Sequence, residues 1–262
     1  MAQNQENAII TSVEQLSAEN FRMGFHAPKI AAVAHPGQFV MVRRMGSTDP
    51  LLRRPFCIHQ VDDDGGLQLY FKVVGRGTKL LSQLTLGEEL SILGPLGKGF
   101  ALVNNRPACL VGGGLGIAPL LFLTRKLAEG ADDPSQIRVI LGGRSRAEVE
   151  PLVADFEQYG VQVFSTTDDG SFVRKGFVTE VLQEQALVAD CQVYTCGPEA
   201  MMARVFEHCQ EKGLACQVSV EKEMACGIGA CLGCCKTKAD GTYTHVCING
   251  PVYNAEELQW KK

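Results

Sequence analysis

Apolar and polar residues alternate with period two through much of the first hundred positions, most clearly at Leu67-Gln68-Leu69-Tyr70. Short runs rich in Val, Ile, Phe and Tyr fall at 8–16, 21–26, 38–43, 56–61, 67–74 and 89–93. Turn signals separate most of them: Pro36-Gly37, Asp49-Pro50, Asp64-Gly65-Gly66 and Gly94-Pro95. Six short strands with little helix between them predict a closed Greek-key β-barrel over residues 1–104.

From residue 105 the rhythm changes. Continuous apolar strands at 108–112, 137–141, 161–165, 192–196 and 216–220 alternate with helical patterns at 118–129, 147–159, 177–187 and 199–212. Pro119 and Pro198 fall where a first helical turn accepts proline, and Gly130 and Gly160 read as helix stops. Such alternation predicts a parallel α/β domain over 105–220, its sheet covered on both faces. Residues 221–262 are rich in Gly and Cys and nearly aperiodic.

Composition narrows the function classes. The 262 residues carry a net charge of −4, and no Lys/Arg run exceeds two residues, so no footprint for nucleic acid or an anionic membrane is visible. The opening residues are polar, without the basic and apolar regions of a secretion signal. The longest apolar run, 108–123, is broken by four glycines and a proline and is shorter than the ~20 residues of a membrane span. The expectation is a cytoplasmic protein. Eleven cysteines there point to metal rather than to a disulfide framework, because five of them crowd into 226–247.

Cys226, Cys231, Cys234 and Cys247 have the spacing C-x4-C-x2-C-x12-C, which is that of a plant-ferredoxin-type 2Fe–2S site. Three thiolates on one tight loop wrap two irons from one side, and a distant fourth closes the site. Gly227, Gly229 and Gly233 permit the loop and let backbone N–H groups approach the sulfurs. A structural zinc site fits the same spacing. Cys235 is a fifth thiol without an assigned role.

Other motifs are weaker singly. Arg53 and Arg54 precede an extended run, where an arginine can grip phosphate or simply lie in solvent. Gly75-Arg76-Gly77-Thr78 opens a short helix, expected at 79–84, as a phosphate turn or a plain N-cap. Gly112, Gly113 and Gly114 lead from strand to helix but miss G-x-G-x-x-G, since Ile117 stands where the last glycine belongs. No acidic residue ends the second strand; Arg144 and Arg146 are there instead and would favour a 2′-phosphate. Cys196, Gly197 and Pro198 close the fourth strand at the crevice edge, Cys196 facing the crevice or inert in the core. Asp168-Asp169 reads as a loop, and the five histidines form no nucleophile or zinc pattern.

In order, R-P-F-C, G-x-G-T, G-G-G-L-G-I-A-P, C-G-P and M-A-C-G-I-G-A-C resemble the ferredoxin–NADP reductase superfamily. Within it they resemble the electron-transfer subunits of NAD-dependent dihydroorotate dehydrogenases, over nearly the whole chain. The resemblance implies FAD held by Arg54, Pro55, Phe56, Cys57, Tyr70, Phe71, Lys72, Gly77 and Thr78. It implies a nicotinamide nucleotide, NAD as electron acceptor, held by Gly112, Gly113, Gly114, Cys196, Gly197 and Pro198. A 2Fe–2S cluster on the four cysteines, and no acid–base catalytic residue, are implied as well. It also implies an FMN-containing, dihydroorotate-oxidising partner in an α2β2 heterotetramer, docked near Leu232. Cys57 departs from the Ser or Thr common in the family, and a thiol donates a weaker hydrogen bond than a hydroxyl. Similar subunits serve sulfur reductases, hydrogenases and transhydrogenases. A reading of another class is a zinc-bound redox sensor without turnover.

Overall fold

The computed structural model describes residues 4–46, 49–103 and 105–260. Residues 1–3, 47–48 and 104 of the expected first domain, and 261–262 of the last, lie outside the described residues. The first sheet contains β1 (Asn4–Gln15), β2 (Asn20–His26), β3 (Phe39–Arg44), β4 (Arg54–Cys57), β5 (Gln60–Val61), β6 (Gly66–Lys72) and β7 (Glu89–Leu96). Short helices α1 (Pro28–Ala31) and α2 (Arg76–Ser82) fill two of the connections. The strand order is β4-β3-β7-β1-β2-β6-β5, antiparallel throughout.

Seven strands replace the expected six, because the run at 56–61 divides. Its first part pairs with β3, and Ile58 N–H then donates to Gln38 O at 3.0 Å. One residue later His59 N–H donates to Gln68 O at 2.9 Å on β6. The segment thus passes from one end of the sheet to the other and curls it into a barrel. Inside, alternate residues such as Met23, Phe25, Leu67, Leu69, Leu90 and Ile92 are buried in one cluster.

The second sheet follows the sequence expectation closely. Strands β8 (Ala108–Gly113), β9 (Ile137–Gly143), β10 (Gln162–Thr167), β11 (Gln192–Cys196) and β12 (Cys216–Ser219) are parallel. Helices α3 (Ala118–Glu129), α4 (Arg146–Glu157), α5 (Val178–Glu184) and α6 (Glu199–Lys212) connect them. Strand β8 shows why both faces are covered. Leu110 points into the core under α3 and α4, whereas Cys109 and Val111 point into the core under α5 and α6. The order β10-β9-β8-β11-β12 reverses between β8 and β11, which opens a crevice at their carboxyl ends.

The aperiodic tail is ordered. It forms a hairpin, β13 (Cys235–Thr237) with β14 (Tyr243–His245), then α7 (Val246–Asn249) and β15 (Val252–Asn254). Strand β15 pairs antiparallel with β12 and extends the parallel sheet. Elements of three residues are too short to show a period, which is why the sequence pattern missed them. Cys234, Val246, Cys247 and Tyr253 of the tail join the same core as α5 and α6.

The barrel and the α/β sheet meet through specific bonds. Phe122 N–H donates to His59 O at 3.0 Å, the His59 Nδ1 atom lies 2.8 Å from Ala118 O, and Gln60 Nε2 donates to Tyr159 OH at 2.8 Å. Arg22 joins Glu14 of the barrel and Asp155 of α4. Among the described residues no helix is long and apolar enough to cross a membrane.

Candidate functional site

A cleft of about 690 Å³ lies between the barrel and the α/β sheet, within the size range of small-molecule sites. Tyr70 and Lys72 of β6 form one wall, and the turn 113–116 forms the floor. Gly197 and Pro198 at the end of β11 face that turn. Phe71, between Tyr70 and Lys72, points the other way. It stacks on Phe21 at 5.8 Å and meets Phe56 at 5.5 Å inside the barrel. Of the six residues at 54–57 and 71–72, then, Phe56 and Phe71 support the wall from behind. Lys72 is held by Glu148 and Glu19, each at 3.0 Å.

The crevice floor depends on close backbone approach. A Cβ on Gly116 would lie 2.2 Å from Cys196 O and 2.5 Å from Gly197 N. The two turns therefore touch main chain to main chain, at the starts of α3 and α6. Gly112 and Gly113 end β8, and Gly114 opens a 3-10 turn before α3. Pro119 sits in the first turn of α3 as expected, whereas Pro198 is the N-cap of α6 and lies just outside it.

Glu221 lines the cleft and acts on two thiols behind its wall, Cys57 and Cys196. Burial, then the Glu221 carboxylate, pushes the Cys57 thiol up to about 12, and the same two causes raise Cys196 well above the ordinary thiol range. Both stay protonated S–H groups at neutral pH. Glu221 is exposed overall, but desolvation of its carboxyl in the cleft raises it. Cys196 belongs to the core: it is fully buried and does not line the cleft, whereas its neighbours Gly197 and Pro198 do.

The arginine pair divides. Arg53 turns inward and donates to Ser91 O at 2.6 Å and Ser91 Oγ at 2.8 Å, tying strands together. Arg54 lies over Gly77, whose Cβ would come within 2.7 Å of its Nε, in a small cavity bordered by α2. Helix α2 starts at Arg76, three residues before the expected position. Thr78 is not the N-cap; its hydroxyl accepts from Val74 N–H at 3.0 Å and Gly75 N–H at 3.2 Å, closing the turn from within. Arg146 is likewise occupied, by Ser171 O at 3.0 Å, Glu150 at 3.0 Å and the Phe172 ring at 5.4 Å. Arg144 and Asp168 line the cleft.

The four cysteines stand as two pairs. Cys234 Sγ lies 3.2 Å from Cys247 Sγ, and Cys231 N–H donates to Cys226 Sγ at 3.4 Å. Burial opposes ionisation of Cys226, yet backbone hydrogen bonds from Ile228, Cys231 and Ala230 prevail and bring its thiol down to about 7. Burial, then the neighbouring Cys234, pushes Cys247 up to about 12. A bound cation reverses that preference. The two thiol pairs fit a two-iron cluster that takes one pair per iron. The loop geometry requires glycine. Gly227 and Gly229 have φ of 72° and 82°, and a Cβ on either would strike Met41 or Ile248. Ile228, Leu232 and Ile248 are exposed around the pairs.

Residues the motifs did not single out also line the cleft: Asn20, Glu148, Glu199, Glu221 and Lys236. Only Glu199 carried a signal, directly following Cys196-Gly197-Pro198 at a helix start.

Comparison with known proteins matches this architecture part by part. Residues 7–100 match an oxidoreductase FAD-binding domain, and residues 110–207 an oxidoreductase NAD-binding domain. Residues 221–259 match the iron-sulfur cluster binding domain of dihydroorotate dehydrogenase B. A dihydroorotate dehydrogenase B (NAD(+)) electron transfer subunit from Caldanaerobacter subterraneus subsp. tengcongensis is 39% identical over 254 residues, 96% of this chain and 97% of that one. The chain belongs to the dihydroorotate dehydrogenase B electron transfer subunit family. Another member, from Desulforamulus reducens, is 38% identical over 97% of this chain and 98% of its own. Among solved structures, an NADH-dependent reduced ferredoxin-NADP oxidoreductase studied for flavin-based electron bifurcation superposes with a TM-score of 0.85. It is 28% identical and covers 97% of this chain and 90% of its own. A ferredoxin NADP+ reductase from Neisseria gonorrhoeae, with bound FAD and NADP, shares the fold at a TM-score of 0.65 and 14% identity, over 80% of this chain and 92% of its own. The sulfur reductase alternative is not favoured by these matches. FAD-, NAD- and iron–sulfur-binding parts make the chain an oxidoreductase electron-transfer subunit of this family.

Proposed function

We propose that this chain carries electrons from a dihydroorotate-oxidising, FMN-containing partner to NAD+, as one subunit of an α2β2 heterotetramer in a reducing, cytoplasmic setting. Residues 1–104 take FAD, 105–220 the nicotinamide nucleotide and 221–262 the cluster. The observation that carries the reading is the convergence of all three parts on one cleft, lined by Tyr70 and Lys72, by the turn at 113–116, by Gly197 and Pro198, and by Glu221 and Lys236.

The donor sets fit these groups. Cys226 with Cys231, and Cys234 with Cys247, would hold two irons. Arg54 and the Gly77 backbone would hold the flavin phosphates, with Pro55, Phe56, Phe71 and Thr78 fixing the wall behind them. Tyr70, Lys72 and Cys57 border the flavin face. Gly112, Gly113, Gly114, Cys196, Gly197 and Pro198 would receive the dinucleotide. When bound, the cluster supplies one-electron carriage and FAD the exchange between single electrons and a hydride. The chain's own residues orient these groups, exclude water and hold protons. Cys57 and Cys196 keep theirs, because burial and Glu221 disfavour thiolates there. NAD+ is the acceptor we assign, with the attraction of Arg144 for a 2′-phosphate offset by the Asp168 carboxylate in the same lining. Arg146 is tied to Ser171, Glu150 and Phe172, and the Asp168 carboxylate lines the cleft, where it would repel a 2′-phosphate.

Chemical analysis of the anaerobically purified chain tests the reading. It predicts one FAD, two irons and two sulfides per chain, bleached together by NADH. One zinc and no flavin would overturn it.

A further inference from the structure

Lys236 is the unusual residue of the tail. It sits in β13, two positions after the cluster ligand Cys234, and is only 7% exposed. Strand alternation turns Cys235 outward to solvent and puts Lys236 on the buried side with Cys234. At about 3.3 Å per residue, the two Cα atoms stand roughly 7 Å apart. The ammonium is clamped. Its Nζ lies 2.7 Å from Glu199 Oε1 and 5.3 Å from the centre of the Trp260 ring. Trp260 is itself fixed by Nε1–H donating to Ala255 O at 2.8 Å. Glu199 is the first residue of α6, next to Pro198, and both Glu199 and Lys236 line the cleft.

A buried cation is costly unless partnered, and this one is partnered by a carboxylate on a different element. Fold stability alone does not call for it, since an apolar side chain would fill the same space against Trp260. We infer that Lys236 tunes the reduction potential of the cluster, its fixed positive charge favouring the added electron and Glu199 partly offsetting it from the cleft side. The inference rests on the cluster assignment above and deepens it. The Lys236–Glu199 pair also joins the strand that follows the cluster loop to the helix beside the nucleotide turn.

The test is a redox titration of the cluster, followed by electron paramagnetic resonance, on the complete anaerobically purified complex. Lys236→Met removes the cation and lowers the reduction equilibrium constant on the order of tenfold, about 59 mV for one electron. Lys236→Arg keeps the charge and restores most of the potential. Glu199→Gln removes the offsetting anion and moves the potential the opposite way, upward. That variant leaves the hairpin untouched, so it decides the matter even if Lys236→Met does not assemble. Opposite signs for the two partners distinguish a charge effect from a packing effect. A cluster present in Glu199→Gln with its potential unmoved, or moved downward, overturns the inference alone. Absence of any cluster signal from the unaltered protein overturns the cluster assignment and the inference with it.

Discussion

Replacing Gly116 by alanine adds one methyl group where the crevice has no room. The new Cβ would lie 2.2 Å from Cys196 O, 2.3 Å from Cys196 C and 2.5 Å from Gly197 N. All three are backbone atoms of the turn from β11 to α6, so no side-chain rotation relieves the contact. Ordinary van der Waals separation, about 3.4 Å, requires the two turns to part by roughly 1 Å. Overpacking of a tight site costs about 1–3 kcal/mol, and backbone against backbone belongs at the upper end. For a chain near this size each kcal/mol lowers Tm by about 2–4 °C, so a fall of about 6–12 °C is expected. Function should suffer more than stability. A displacement of about 1 Å in a positioning element costs on the order of 100-fold in rate. The assay is thermal unfolding of the anaerobic protein, alongside NADH oxidation with ferricyanide as acceptor. A variant with unchanged Tm and unchanged NADH oxidation would refute the claim that these two turns form the dinucleotide floor by direct contact.

The arginine pair should separate by role. Arg53→Ala strips the donors from Ser91 and is expected to cost about 1–3 kcal/mol of stability while flavin content is retained. Arg54→Ala should instead weaken FAD retention, on the order of tenfold or more, at little cost in Tm; denaturation curves and flavin titration check both. Asp168→Ser removes a carboxylate from the cleft, and steady-state kinetics should show NADPH gaining at least roughly tenfold on NADH. An unchanged ratio would place the nucleotide choice elsewhere. His59 is fully buried and its pKa is lowered to about 4, by burial first, against some help from the Ala118 carbonyl. The unfolded chain therefore binds the extra proton between about pH 6.5 and about pH 4, and stability falls as pH falls through that window. About 2 kcal/mol should be lost between about pH 7 and about pH 5, and His59→Asn should flatten that slope in urea titrations.

Long, strongly patterned elements were legible in the sequence. Helix α3 at Ala118–Glu129, helix α6 at Glu199–Lys212 and strand β11 at Gln192–Cys196 lie where their apolar periods put them. The division of the fourth barrel run was not legible. Cys57 and Gln60 read as one apolar stretch, and only tertiary closure onto Gln38 and Gln68 breaks it in two. The tail was opaque for a different reason. Its elements are three or four residues long, stabilised by packing on the α6 core and by pairing of β15 with β12, neither of which has a local signature. At the site, the cysteine spacing was readable because ligand geometry constrains sequence directly. Lys236 and Glu221 were not readable, since single charged residues acquire meaning only from what folds against them. Arg146 shows how folding adds to such a reading: the Ser171, Glu150 and Phe172 contacts that hold it come from residues its sequence position does not point to.

The most direct measurement is dihydroorotate-dependent NAD+ reduction by the complex that co-purifies anaerobically with this chain, followed by NADH absorbance. NADH forming in step with orotate, and ceasing in a Cys234→Ser variant that keeps its flavin, is the predicted result. A complex that oxidises NADH with ferricyanide but forms no NADH from dihydroorotate would contradict the central claim.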